Sequence, residues 1–523
     1  MKPENRNPKS ERNPKSEGRT GFARVALFGF RHSEFFRISA LGLRVSALAL
    51  LVGCKVGPDY KRPEATTIPT VYTGATNVVS TDSGATNVWK VAQPQAQLPK
   101  GNWWEIFGDA DLNDLERQAS AANQQLKVAV ARLDEARAQM DVTRAGLFPN
   151  ISLSGSYTRQ RTSPNTPLST TGAASGKAAT FSDFLVPLTL GYEVDLWGRV
   201  RRSVESARAQ AQASADDLET IKLMIQAEVA VDYFTLRALD AQRAVLNSSV
   251  QVFTKSLQLT RNLRAGGAVS DLDVAQSLTV LKTTEAQLPA VTLQRAQFEH
   301  AIALLVGQPA STFHVSEHAL STAPPLIPPG LPSELLERRP DISAAERRMA
   351  SANASIGVAK AAFFPTVQLN GLAGFESLSA GTLFNWSSRL WAVGPSITLP
   401  IFEGGKLRAG LRLAKATYEE MVASYRQSVL TAFAEVEDNL AAQTLLANQY
   451  AAESDALVAA RKQLEIVNNQ YRDGLITYLE VATAESTALN VEFAATALSG
   501  QQLVAVVTLV KALGGGWQET MKQ

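Results

Sequence analysis

Apolar and polar positions follow two distinct rhythms along this chain. The first has a period of two. Leu188, Leu190, Tyr192, Val194 and Leu196 alternate with Thr189, Gly191, Glu193 and Asp195. Trp391, Val393, Pro395, Ile397, Leu399 and Ile401 alternate with Ala392, Gly394, Ser396 and Thr398. Successive side chains of a strand point to opposite faces, so both stretches predict strands with one apolar face and one polar or small face. In the first half the strand candidates are Asn150–Arg159 and Phe184–Trp197, joined by a loop rich in Ser, Thr, Gly and Ala over Gln160–Ser182. The second rhythm is helical. Proline is absent from Gly198 to Leu288 and again after Pro400. Leu246, Val250, Phe253 and Leu257 recur at coiled-coil spacing, as do Met421, Tyr425, Val429, Phe433, Val436 and Leu440. Helices predicted over Arg199–Leu263 and Lys406–Tyr471 would each hold about 65 residues and reach roughly 100 Å. Gly266-Gly267 and Asp473-Gly474 end them, and a leading helix runs from Asp111 to Ala145 before Pro149.

The pattern occurs twice. Residues 126–155 align with 342–371, and ten of the thirty positions are identical, among them Phe148/Phe364, Pro149/Pro365, Leu153/Leu369 and Gly155/Gly371. Further on, the stretch from Gly267 aligns with the stretch from Gly474. Each unit reads helix, strand, polar loop, strand, long helix, turn, helix, so one structural unit is duplicated. The divisions are 103–306 for the first repeat and 341–513 for the second, with a Pro-rich linker over 307–340 and a tail over 514–523.

Ten-residue alternating segments are the signature of outer-membrane strands. Four strands cannot close a barrel, and an open edge in lipid would leave backbone groups unpaired. Membrane strands in this chain therefore require several copies to share one barrel. A wet-faced soluble sandwich would show the same alternation without that requirement.

Charge is unevenly placed. The chain of 523 residues has 51 Lys+Arg against 49 Asp+Glu, net +2. Residues 1–44 carry +6 of this (10 − 4), which leaves −4 (41 − 45) on the remainder. A slightly acidic body offers no footprint for nucleic acid. The basic part precedes the apolar run Val45–Val52 and then Gly53-Cys54, the only cysteine. Basic, apolar, small, Cys is the order of a bacterial lipoprotein signal, with Leu51–Cys54 as lipobox. Residues 1–53 are thus expected to be signal peptide with an unstructured extension, Cys54 the acylated (palmitate-bearing) N-terminus, and 54–102 a lipid-anchored segment. A lone cysteine makes no intrachain disulfide. No other segment reaches 18 apolar residues, so no transmembrane helix is expected in the body.

After the lipobox stands Val56-Gly57-Pro58-Asp59-Tyr60-Lys61-Arg62-Pro63, followed by Trp103-Trp104, Phe107, Asp109, Leu112, Asn123 and Ala129. Later comes Arg339-Pro340-Asp341-Ile342 with Glu346, Ala352, Gly357, Ala359, Ala361, Phe364 and Pro365. In this order and spacing the chain resembles the TolC-like outer membrane factors, specifically the NodT-type efflux lipoproteins, from residue 51 to about 513. The resemblance implies a mainly α chain with a small β part. Three copies would build a composite twelve-stranded β-barrel in the outer membrane, continued by a long α-helical barrel through the periplasm. The partners implied are two further copies, a periplasmic adaptor (membrane fusion) protein, an inner-membrane pump of the resistance-nodulation-division type and outer-membrane lipid. The function implied is passive export of small molecules such as drugs or toxic compounds. A type I polypeptide secretion duct would use the same fold with another pump, and a structural coiled-coil lipoprotein would need no alternating strands.

The resemblance also implies a periplasmic aperture at the helix turns Gly266-Gly267 and Gly474. Asp273 and Glu480 each stand six residues past the aligned glycine, where they would form carboxylate rings in the trimer, with Ile476 and Tyr478 beside them. Thr483 and Ile476 occupy positions where relatives often place a further aspartate and a locking arginine. That departure predicts a ring weaker in charge and partly apolar. No P-loop, paired metal ligands or catalytic triad is legible, and neither an enzyme nor a cofactor is expected. His300, His314 and His318 are too loosely spaced to form a ligand set.

Overall fold

The computed structural model describes residues 55–63, Tyr72, 101–163, 178–318, 320, 323–325, 327 and 335–516. All belong to one unit, Gly53–Gln523. The signal, the lipobox with Cys54, much of the 54–102 segment and part of the Pro-rich linker lie outside the described residues.

A 3-10 turn, Trp103–Phe107, leads into α1 (Ala110–Ala122) and α2 (Gln124–Ala145). Strands β1 (Asn150–Leu153), β2 (Ser156–Arg161) and β3 (Thr180–Val194) follow, then α3 (Arg199–Ala265) and α4 (Asp271–Leu305). The second unit holds the short α5 (Leu335–Arg338), α6 (Pro340–Ala361), β4 (Thr366–Ser377), β5 (Arg389–Thr398), α7 (Lys406–Arg472) and α8 (Tyr478–Ala512). The duplication is exact in length where it matters most. α2 and α6 have 22 residues each, α3 and α7 have 67 each, and α4 and α8 have 35 each. At 1.5 Å per residue the 67-residue helices are each about 100 Å long.

Two expectations are corrected. The leading helix is not continuous from Asp111 to Ala145. Asn123 leaves helical geometry (ψ 127°), its side-chain oxygen accepts from the Leu126 amide, and its side-chain Nδ2 donates to the Leu305 carbonyl at 2.8 Å. The loop expected over Gln160–Ser182 is shorter, because β2 and β3 pair out to Arg161 and Thr180.

The sheet is antiparallel in the order β1/β2, β3, β4, β5. β1 and β2 keep one register against β3, and they part where Pro187, which has no N–H, meets the ladder. They are one strand interrupted, so the count of four holds. Opposite Pro187 on its other side stands Gly374, where a Cβ would come within 2.2 Å of the Val186 carbonyl oxygen. A glycine is required there.

The largest apolar core lies partway along the long helices. Ile225, Val229, Tyr233 and Leu236 of α3, Trp103, Trp104, Phe107 and Leu112, and Tyr425, Val429 and Val436 of α7 belong to one cluster. Ile342 and Met349 of α6 and Leu503, Val506, Leu509 and Val510 of α8 complete it. The heptad-spaced residues of the sequence are therefore seam residues. α8 is long and apolar enough to cross a membrane by composition, yet half of its most apolar window is buried, in packing against α3, α4 and α7.

Candidate functional site

Three sites position the chain's distinguishing residues: the sheet, the strap that follows the lipobox, and the paired helix turns.

Residues directly opposite across an antiparallel sheet share a face. The register therefore sorts every strand residue. One face carries Ile151, Leu153, Tyr157, Phe184, Val186, Leu188, Leu190, Tyr192, Val194, Val367, Leu369, Phe375, Trp391, Val393, Pro395 and Ile397. The other carries Ser152 and Thr189, bonded to each other at 2.7 Å, Asn370 and Ser396, bonded at 2.9 Å, and Glu193, Gln368 and Thr398. Phe181, Leu185, Leu372 and Leu390 are the bulky apolar exceptions on that side. Much of the apolar face is open in the single chain, with Trp391 74%, Val393 77% and Ile397 69% exposed. Along β3 the apolar face runs from Phe184 to Val194. Ten rises give about 33 Å, or about 25 Å at a 40° tilt, the height of the apolar band of a membrane barrel.

At the foot of the sheet, Trp197 donates to the Pro365 carbonyl at 2.7 Å and stacks on Phe364. The strap, residues 55–63, begins here, with the Val56 amide donating to the Trp197 carbonyl at 3.1 Å. Gly57 has φ +113°, and a Cβ on it would lie 2.6 Å from the Gly357 Cα. Arg202, 1% exposed in its side chain, donates to Asp59 at 2.9 Å and also faces Glu205. Tyr60 donates to Glu346 at 3.2 Å, Arg62 donates to the Tyr425 hydroxyl at 3.0 Å, and Asn353 donates to the Pro58 carbonyl. Burial and the neighbouring Glu346 carboxylate push the Tyr60 phenol well above its ordinary range. The sequence motif is thus a clamp that fixes the chain just after Cys54 to α3, α6 and α7. Arg339 has a similar tying role. It grips Asp341 with two hydrogen bonds and reaches the Ala512 carbonyl and Glu435, joining the start of α6 to α7 and the end of α8.

The two helix turns pack as one end. Tyr471, Tyr478 and Val481 form an apolar cluster with Leu263, Val269, Val467 and Ile476. Asp273 completes a capping box with Ser270, accepting from the Ser270 amide and hydroxyl at 2.8 and 2.7 Å. Partial burial opposes the charge on Asp273, but those bonds and the Tyr478 amide outweigh it and hold the carboxyl below its usual range. Glu480 is exposed and accepts from the Thr477 hydroxyl at 2.5 Å, which lowers its pKa as well. Arg264 grips Asp271 with two hydrogen bonds at 2.7 and 2.9 Å. Gly267 and Gly474 take positive φ, 78° and 74°, whereas Gly266 stays right-handed. Ile476 is half-buried. Tyr478 is fully buried, its hydroxyl donating to the buried Glu485 at 2.8 Å, so it backs the turn from inside the helix packing. Sequence reasoning missed Glu485; its only signal is an acid on the otherwise apolar face of α8.

Among the described residues no group of three or more His, Cys, Asp or Glu could hold a metal ion. A family model described as outer membrane efflux protein matches residues 115–308 and 331–515. The antibiotic efflux pump outer membrane protein ArpC of Pseudomonas putida is 34% identical over 493 residues, 93% of this chain and 97% of the relative. The toluene efflux pump outer membrane protein TtgC of Pseudomonas putida matches at the same identity and coverage. Among solved structures, the outer-membrane channel OprN superposes with a TM-score of 0.78 at 31% identity, covering 89% of this chain and 100% of that one.

Proposed function

The chain belongs to the outer membrane efflux protein family, and from that premise we propose that it is the passive outer-membrane exit channel of a tripartite pump, working as a lipid-anchored homotrimer. The observation that carries this reading is the two-faced sheet. Its four strands end in two free edges, β1/β2 and β5. Such edges are tolerable in a bilayer only when another chain pairs with them. Three copies give twelve strands, and the α-helices beneath them continue the duct into the periplasm. The adaptor and the inner-membrane pump meet it at the other end. Relatives whose names specify toluene and antibiotic efflux support small molecules as cargo.

In this reading the paired turns are the resting closure. Asp273 and Glu480 supply carboxylates around the threefold axis, and Ile476 and Leu475 supply apolar contacts. A ring of carboxylates in a narrow aqueous path favours cations. Cys54 begins the mature chain and carries lipid. Native mass spectrometry of the purified protein in detergent tests both assignments at once. The expected species is a trimer of 470-residue chains (523 − 53) with acyl mass on each. A folded monomer rejects the composite barrel, and an unmodified chain beginning elsewhere rejects the anchor.

A further inference from the structure

Every charged residue of the described strands obeys one rule. The bases Arg159, Arg161 and Arg389 all stand on the apolar face, and the acids Asp183, Glu193 and Glu376 all stand on the polar face. The parity is fixed by contacts as well as register. Tyr157 packs on Phe184 at 4.7 Å between ring centroids, which puts Arg159 and Arg161, two and four residues on, on the side of Leu188 and Leu190. Arg389 lies opposite Phe375 and is held over the Trp386 ring at 4.3 Å.

The position of the arginines is as informative as their side. Arg161 ends β2 and Arg389 begins β5, so each stands at the loop end of its own hairpin, away from the helices. Arg159 and Arg389 follow directly on the apolar positions Tyr157 and Trp391 of their own strands, and Arg161 stands one same-face position further out. All three side chains are exposed, and none makes an ion pair with a carboxylate among the described residues. A guanidinium left unpaired at the lipid-facing rim is poorly placed for water or hydrocarbon alone. It is well placed for a phosphate, which it binds with two parallel hydrogen bonds. Tyr157 and Trp386 beside these arginines are the amphipathic rings that favour the same depth.

We propose that Arg159, Arg161 and Arg389 form a phosphate-binding collar for the phosphorylated glycolipid of the outer leaflet. The inference rests on the outer-membrane reading above and adds a lipid ligand to it. Phosphates engage the outward guanidiniums, acyl chains lie along Leu188, Leu190 and Val393, and the inward acids Asp183 and Glu376 keep the lumen free of the same anion.

The test is native mass spectrometry of the full-length protein in detergent with added diphosphoryl lipid A, fully dephosphorylated lipid A or phosphatidylethanolamine. Wild type should retain the diphosphoryl form in preference to the dephosphorylated one. Arg159→Gln/Arg161→Gln/Arg389→Gln should lower that retention on the order of tenfold or more, with phosphatidylethanolamine unchanged. The corresponding lysine variant should keep most of it. Equal retention of phosphorylated and dephosphorylated lipid A by wild type overturns the proposal, and that comparison needs no variant to fold. Equal retention by wild type and the glutamine variant overturns it as well. Membrane fractionation of wild type separates the two readings. Absence from the outer membrane overturns both, whereas presence there with no phosphate preference overturns the collar alone.

Discussion

At the scale of single residues, the clearest anomaly is Glu116. It lies on α1, fully buried, and neither carboxylate oxygen has a hydrogen-bond partner among the described residues. Burial alone pushes its pKa from 4.5 to about 9. The acid is therefore neutral in the folded protein at pH 7, while in an unfolded chain it would be ionised. The sign follows from that difference. The stability associated with Glu116 is fully present below pH 4.5 and is lost progressively as the pH rises towards 9, because unfolding releases a proton the folded chain retains. Glu116→Gln keeps the shape and removes the titration. It should raise stability at pH 7 by more than about 1 kcal/mol. It should leave stability little changed near pH 4 and flatten the pH dependence between 5 and 9. Thermal unfolding of the two proteins across that range checks it, and parallel curves would mean that Glu116 is solvated in solution. The motif residues behave differently, since they are satisfied. Asp109 accepts from the Leu112 amide and from the Tyr233 hydroxyl, and Arg339 joins three helices. These motif residues are joints between elements.

At the scale of elements, Asn123 decides where α1 ends and α2 begins. Its side chain caps α2 and also holds the last carbonyl of α4, that of Leu305. Asn123→Ala should cost about 1 kcal/mol for the cap. Loss of the second bond adds about 1 kcal/mol more. The melting temperature should fall, with faster hydrogen exchange over 110–126. This break was not legible, because Ala121 to Leu126 has the composition of continuous helix and a mid-helix Asn is common. The long helices were legible to within two residues. The 91 proline-free positions from Gly198 to Leu288, with a seam every three or four residues, admit little else, and the stretch after Pro400 is longer still. The helix turns of the proposed aperture were legible only in part. The glycine spacing located both turns, and the capping geometry of Asp273 is written in Ser270-x-x-Asp273. The burial of Tyr478 is tertiary, since its hydroxyl meets Ser256 of α3, remote in sequence, as well as Glu485 two turns along its own helix. With Tyr478 inside, the proposed closure would rest on Asp273, Glu480, Ile476 and Leu475. Asp273→Ala with Glu480→Ala should raise single-channel conductance in planar bilayers or lower cation selectivity. Because Asp273 also closes a capping box, Asp273→Asn is the companion that keeps much of the cap while removing charge. Unchanged conductance and selectivity in both variants would place the closure elsewhere.

At the scale of the whole molecule, the composite barrel exists only if the apolar sheet face is outermost, against lipid. Neighbouring positions on β3 provide the sharpest test. Leu190 lies between Ile151 and Gly371 on the apolar face, and Thr189 lies between Ser152 and Leu372 on the other. The two residues share a strand, a depth and nearly the same backbone surroundings, so they differ chiefly in the side they face. Near the middle of the apolar belt, Leu190→Arg would carry a guanidinium into hydrocarbon, at a cost of about 2–4 kcal/mol per chain near the midplane. A trimer would bear that cost three times, so assembly should suffer more than the fold of one chain. Thr189→Arg would place the same charge in the water-filled lumen and lose only the exposed hydroxyl's bonds to the Ser152 hydroxyl at 2.7 Å and the Ser152 carbonyl at 3.3 Å. Trimer yield after refolding into vesicles, read by unboiled gel electrophoresis against urea concentration, should therefore fall sharply for Leu190→Arg and stay near wild type for Thr189→Arg. Thr189→Arg should instead change conductance, since its arginine narrows the lumen and reverses the local charge. If the two substitutions reduce assembly equally, the faces are not distinguished by lipid. If Thr189→Arg is the worse, the sheet is turned inside out relative to the barrel described here.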